Sequence, residues 1–269
     1  MPEHYCEMLV DEYTGVLPVG YVDSSEKLHR VIKFRPEGML GSDEYKLSDP
    51  KVKENGTKAL TALFSNGIIQ SIGDITKITP DLARNLTNAD RDYILFMNRQ
   101  ITFGDQLVYK STCSSNACKN VNEVTVFLEQ AIEVVYLPDN VTRDSNGFAT
   151  DNMDLPLGIL DPKTGQRHKH VVFRYPTGSD SEALEPIAKV NLALANSNLM
   201  HRIILSIGDL TAPNIGVYDK MSSKDRQAFI DYLYDNSPGP NFVVNVTCPV
   251  CGNSYESVIP ISALLSDSR

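Results

Sequence analysis

The chain has 269 residues, 42 % of them hydrophobic and 22 % charged, and a formal net charge of -9. This is globular composition, long enough for a sizeable core or two modest domains. No block of Lys and Arg stands out, which argues against a broad groove for a nucleic-acid backbone. No run approaches the ~18 apolar residues of a membrane-crossing helix. The start, Met1-Pro-Glu-His-Tyr-Cys6, lacks a basic region followed by an apolar run, so neither a signal peptide nor direct membrane insertion is expected.

Residues 1–13 read as an N-terminal arm, with Cys6 a lone small thiol. Leu17-Pro18-Val19-Gly20 follows, and a near copy appears later as Leu155-Pro156-Leu157-Gly158. Each leads through a turn-rich stretch to an expected strand, Val31–Arg35 and Val171–Arg174, and then to a Pro- and Gly-marked loop ending near Asp43 or Asp180. Ala59, Leu60, Leu63 and Phe64 are spaced for one helical face, and a helix-like region is expected over roughly Ser181–Ile204.

Both regions run into nearly the same words, Ile68-Ile-Gln-Ser-Ile-Gly-Asp74 and Ile203-Ile-Leu-Ser-Ile-Gly-Asp209, offset by 135 residues. The offset holds without a gap to Cys113 and Cys248, with Asp90-Arg91 matching Asp225-Arg226 and Gly104 matching Gly239. Self-similarity of this kind points to duplicated structural units. The expected fold is therefore α+β and internally duplicated. Copy 1 covers 14–138 and copy 2 covers 155–269, two pseudo-symmetric units joined by a linker over 139–154.

Thr87 and Ser222 each stand three residues before an acid and ahead of apolar residues at helical spacing, which predicts N-caps in a near capping box with Asp in place of Glu. After each predicted helix come a Gly-containing turn, a strand, a cysteine pair and a return strand. That order predicts a small zinc-ribbon-like hairpin in each copy.

The five cysteines comprise Cys6 and two pairs, Cys113/Cys118 and Cys248/Cys251, and with no secretion signal the pairs read as metal ligands rather than disulfides. Cys248-Pro-Val-Cys251-Gly is a zinc-knuckle spelling, since thiolates three positions apart can face one ion while turn amides point at the sulfurs. A redox Cys-x-x-Cys and plain buried thiols are the competing readings; the first expects a helix N-terminus after a parallel strand. One shared structural Zn2+ site of Cys113, Cys118, Cys248 and Cys251 is the economical arrangement, because two separate sites would each lack two ligands. His168 and His170 read as strand-face residues, with ligand substitution as the alternative.

No catalytic motif accompanies these features: there is no phosphate-cradling loop with Lys, no nucleophile elbow and no His-Glu hydrolase spelling. Asp43, Asp74, Asp90, Arg91, Asp180, Asp209, Asp225 and Arg226 read as caps, turn bonds and salt links, because an asymmetric active site seldom needs both copies. Arg35 and Arg174 either brace the Pro-Gly loops or dock a partner. A zinc-ribbon nucleic-acid-binding protein and a thiol-redox protein are the alternative functions.

The order of a Leu-Pro-x-Gly start, an Arg-containing strand with a Gly-x-Asp loop, Asp-Arg on a helix and paired cysteines resembles the T4-type baseplate proteins of contractile-tailed bacteriophages, a group that includes baseplate hub assembly proteins. The resemblance spans Leu17 to Leu265. It maps the family's cysteine pairs onto Cys113, Cys118, Cys248 and Cys251, and its other recurrent words onto Asp90-Arg91 and Gly178-Ser-Asp180. It implies no reaction. It implies a role in building or joining the hub and wedges of the tail baseplate, in the virion or in the host cytoplasm during assembly. The expected partners are other hub or wedge proteins in a large hetero-oligomeric complex, with no nucleic acid.

Overall fold

A computed structural model describes residues 13–50, 54–161, 164–211 and 213–267, so the arm 1–13 lies almost wholly, and Cys6 entirely, outside the described residues. The fold mixes helices with antiparallel strands. A three-stranded sheet has the order β1 (Thr14–Val22), β2 (Leu28–Phe34), β3 (Ile69–Ile72). Between β2 and β3 run helices α1 (Gly41–Ser48) and α2 (Gly56–Leu63) and a π-turn over Phe64–Ile68. Helices α3 (Pro80–Asn85) and α4 (Asn88–Phe103) follow, then the hairpin β4 (Gln106–Thr112) and β5 (Val121–Phe127), the short α5 (Leu128–Ala131) and β6 (Val134–Val135).

The second sheet is built from β7 (Thr150–Leu160), β8 (Arg167–Arg174), β9 (Ile204–Ile207) and β10 (Leu210–Thr211). Strand β7 begins inside the stretch 139–154 expected as a linker, and an Arg143–Ala149 bridge also falls in that stretch. Helices α6 (Gly178–Ala188) and α7 (Leu192–Ile203) lie between β8 and β9; α8 (Ile215–Asp219) and α9 (Ser223–Asn236) come after β10. The chain closes with β11 (Gly239–Pro240), the hairpin β12 (Val243–Thr247) and β13 (Ser254–Val258), and α10 (Ile261–Leu264).

The helix expected over Ser181–Ile204 is two helices. The Asn191 side chain accepts from Leu194 N at 3.0 Å and starts α7 afresh. That restart turns Ala195, Met200 and Ile203 inward and leaves Leu192 and Leu194 exposed.

Each sheet carries its own apolar cluster. Leu17, Ile32, Phe34, Leu63, Phe64 and Ile94 fill the first; Leu155, Val171, Phe173, Met200 and Phe229 fill the second, with the Phe173 and Phe229 rings edge-on at 5.2 Å. The C-terminus crosses over: Ile259, Ala263 and Leu264 join the first cluster, and β11 pairs with β6.

The Leu-Pro-x-Gly words are β-bulges. The β1–β2 register slips between Val16 and Tyr21, and the β7–β8 register between Asp154 and Ile159. Gly20 and Gly158 take φ of +82° and +78°, and a Cβ on either would strike the backbone of the neighbouring strand. A bulge frees N–H groups from the ladder, and a buried acid takes them. Asp90 accepts from Val19 N at 2.8 Å and Gly20 N at 3.2 Å; Asp225 accepts from Leu157 N at 2.7 Å.

The caps themselves are as expected, with Thr87 Oγ1 accepting from Asp90 N at 3.2 Å and Ser222 Oγ from Asp225 N at 3.1 Å. The acids, however, do not reach back to their own cap backbone. They receive the cap hydroxyls at 2.8 Å and spend their remaining acceptor capacity on the bulges. Burial pushes the Asp90 carboxyl above its ordinary range, opposed by the Val19 N–H and the Thr87 hydroxyl.

Arginines tie the helices in. Arg91, buried beside the Phe64 ring, donates to Thr61 Oγ1, Ala83 O and Thr57 O; Arg226 donates to Tyr218 O and Ala193 O. Arg35 bonds Gly38 O and pairs with Asp43, while Arg174 and Arg202 pair with Asp180. Arg35 and Arg174 thus brace the loops. Asp74 and Asp209 are exposed, Asp74 paired with Lys27.

Glu185 on α6 accepts from Gly56 N and Thr57 N, both at 2.9 Å, and so satisfies the start of α2 from outside. Burial works against its charge, but Lys189 and these N–H groups outweigh burial and hold its carboxyl at about 2.

Two measurements test these ties. Asp90→Ala leaves two bulge N–H groups without an acceptor and is expected to lower stability by about 2–4 kcal/mol in denaturant unfolding; a loss under ~0.5 kcal/mol would contradict the grip. The folded-state carboxyl of Glu185 lies below its ordinary 4.5, so its stabilisation is complete above that pH and is lost as pH falls toward about 2. Glu185→Gln should flatten that part of the acid-unfolding curve, and an unchanged slope would reject the assignment.

Candidate metal centre

Regular pairing carries each hairpin to its tip. The β4–β5 register runs unbroken from Gln106–Phe127 to Thr112–Val121, and β12–β13 from Val243–Val258 to Thr247–Ser254. One further backbone bond closes each ladder, Cys113 N to Asn120 O and Cys248 N to Asn253 O, both 2.9 Å. The chain then folds back tightly. In the first tip Cys118 N and Lys119 N both donate to Ser115 O at 3.1 Å; in the second Gly252 N donates to Cys248 O at 2.9 Å. The residue after the second cysteine is left-handed in both, Lys119 at φ +50° and Gly252 at φ +72°. That turn suits Gly and costs Lys about 1–2 kcal/mol.

The hairpins face each other through a polar and apolar seam. Tyr109 Oη donates to Ser257 Oγ at 3.0 Å, Ser111 and Ser257 hydroxyls meet at 2.7 Å, and Asn122 Nδ2 donates to Tyr255 Oη at 3.0 Å. Val246, Tyr255, Val124 and Val244 pack around the cysteines.

At the tips all four sulfurs lie within 4.8 Å of one another. Two pairs run between hairpins: Cys113 Sγ to Cys251 Sγ is 3.7 Å and Cys118 Sγ to Cys248 Sγ is 3.8 Å. A tetrahedral ion with metal–sulfur bonds of about 2.3 Å, the zinc value, requires sulfurs about 3.8 Å apart, and these two cross-hairpin distances match that value. Cys113 and Cys248 are buried and Cys251 is exposed, which leaves an entry side.

Outer contacts support the sulfurs. Asn253 Nδ2 lies 3.9 Å from Cys113 Sγ as a donor and also donates to Ser114 Oγ at 3.0 Å, while Cys248 Sγ, in its thiol form, donates to Asn122 Oδ1 at 3.7 Å.

The thiols differ in acidity. Burial opposes charge on Cys248, but the backbone N–H groups of Cys251 and Val250 outweigh it and bring the thiol down to about 6. Burial pushes the Cys113 thiol up. The Asn253 N–H favours a Cys251 thiolate, yet burial and the Cys118 sulfur hold that thiol above its ordinary value. One thiolate among thiols is a ready first ligand for a soft cation, which displaces the remaining protons on binding. The Cys-x-x-Cys sits in a hairpin turn, not at the helix N-terminus that redox chemistry favours.

All four cysteines singled out from the sequence come together, and they alone form the metal-capable cluster among the described residues. The two histidines do not join them. His168 is buried on β8 against Gly208, and His170 on the same strand pairs with Asp154 at 3.0 Å. Asn122, Asn253 and Ser257 carry no spacing signal and emerge only from the packing of one hairpin on the other.

A family model described as T4 bacteriophage base plate protein matches residues 31–265, a span that includes both bulge-gripping acids and all four cysteines. No curated protein matches the chain, and no solved structure does. Membership of this family places the chain in a multiprotein assembly of the virion tail. The chain belongs to the T4-type base plate protein family and is a structural component of the bacteriophage tail baseplate.

Proposed function

We propose that Cys113, Cys118, Cys248 and Cys251 bind one structural Zn2+ ion, and that the chain is a zinc-stapled building block of the baseplate hub or of a hub–wedge junction. The sulfur geometry carries this reading: four thiols from two hairpins stand within 4.8 Å of one another, and two cross-hairpin pairs are at the spacing a tetrahedral zinc needs. Four thiolates leave no coordination position for a reacting water, so the ion contributes folding energy rather than catalysis.

We further read the chain as two copies of one unit, 14–138 and 155–269, with residues 1–13 an arm and 139–154 the connection. The matched acid-to-bulge grips of Asp90 and Asp225 support this, as do the matched Arg35–Asp43 and Arg174–Asp180 braces. Neighbouring hub or wedge proteins are the proposed partners.

Metal analysis of the purified full-length protein should find about one zinc per chain, and none in Cys248→Ser. Metal-free protein with four freely titrating native thiols would defeat the shared site. Asn253→Ala, which removes the amide beside Cys113, should weaken zinc binding by roughly 10–100-fold in a chelator competition. Unchanged affinity would remove Asn253 from the support of the site.

A further inference from the structure

Away from the sulfur cluster, a cleft of about 540 Å³ opens where the end of α9 and strand β11 pass α4 and β13. Its walls carry three carboxylates, Asp92, Asp235 and Glu256, and no Lys or Arg. Asp92 is part-buried, and among the described residues it makes no hydrogen bond. The neighbouring Arg91 guanidinium is already committed to Thr61, Ala83 and Thr57. Burial pushes the Asp92 carboxyl up to about 7, with the charge of Arg91 the one opposing influence.

Asp235 stands in the last turn of α9, which has no basic residue, so the helix end adds its own negative potential. The rim is apolar and aromatic: Tyr234 is 70 % exposed, Val258 61 % and Val135 46 %. A part-buried carboxylate with no hydrogen-bond partner, on a wall shared with two further acids, leaves the cleft with an unmatched negative potential. A cation from outside would complete it.

We propose that this cleft docks an arginine-bearing segment of a neighbouring baseplate protein, its guanidinium against Asp92 and its apolar flanks on Tyr234, Val135 and Val258. Arginine suits the site better than lysine, because a planar guanidinium pairs bidentately with a carboxylate and stacks on an aromatic face. The chain's own residues 1–12 are poor occupants, since they hold Glu3, Glu7, Asp11 and Glu12 and no Lys or Arg. The proposal takes from family membership only that the neighbour is a baseplate protein. The test below involves neither the family nor the zinc site, so its failure leaves both standing.

The test is an amide chemical-shift titration of the full-length protein at pH 8 with acetyl-Val-Arg-Leu-amide and with its citrulline counterpart, equal in shape but uncharged. The arginine peptide should shift the Asp92 and Tyr234 amides and bind at least tenfold more tightly than the citrulline peptide. Asp92→Asn should erase that difference, and its melting temperature at pH 8 should be no lower than wild type, because an unpaired charge has been removed. The double variant Asp235→Asn/Glu256→Gln changes two exposed residues and should weaken the arginine peptide severalfold. Equal binding of the two peptides, binding of neither, or shifts elsewhere would overturn the proposal. Cleft signals that move only with protein concentration would assign the cleft to a second copy of the chain and overturn it equally.

Discussion

A two-stranded antiparallel hairpin is marginal in water, and this chain carries two, at 106–127 and 243–258, whose ladders pair with no third strand among the described residues. Each has one well-buried position at its tip, and it is a cysteine: Cys113 in one, Cys248 in the other. The tips meet over four sulfurs with a thin seam of hydroxyls, two amides and a few apolar side chains behind them. Whatever holds the sulfurs together therefore holds the tips together, while the hairpin bases meet in the first apolar cluster through Leu107, Val126, Phe242 and Val244. A bound metal suits that task, because its binding energy is folding energy for a site that the unfolded chain does not possess.

The clasp matters beyond the hairpins because of how the chain is routed. Strands β12 and β13 follow the second sheet in sequence, yet the residues just after them, Ile259, Ala263 and Leu264, complete the first apolar cluster. The β11–β6 pairing and the Glu185 cap on α2 join early and late segments at two other points. Fixing the hairpin tips thus fixes the path by which the C-terminal segment reaches the first core. Within each sheet the order comes from a different device, a carboxylate that supplies the acceptors a Leu-Pro-x-Gly bulge has taken from the ladder. These are positional roles, consistent with a chain whose work in the baseplate is to hold a shape.

What could be seen in the sequence was local. The cysteine spacings, the Thr87 and Ser222 caps and the strands flanking the cysteines depend on residues within a few positions, and the described structure has them where the spacing put them. The partners of the buried acids were not legible, because a carboxylate's spare acceptor capacity leaves no mark on the sequence and Val19 lies far from Asp90 along the chain. The α6–α7 break is hidden for a related reason. Leu192 and Leu194 suit a helix, but the Asn191 cap resets the phase and sends them to the surface. Asp92 is not legible because an acid beside Asp90-Arg91 looks like another member of a solvated helix start, and only the approach of 234–243 places it on the wall of a cleft.

The central claim is that one metal ion joins the hairpins through all four cysteines. X-ray absorption at the zinc edge on the purified protein measures that coordination directly. The account predicts a single shell of four sulfurs at about 2.3 Å, with no nitrogen or oxygen neighbour. A shell of two sulfurs completed by nitrogen or oxygen would mean that the ion sits on one hairpin alone, and would contradict it.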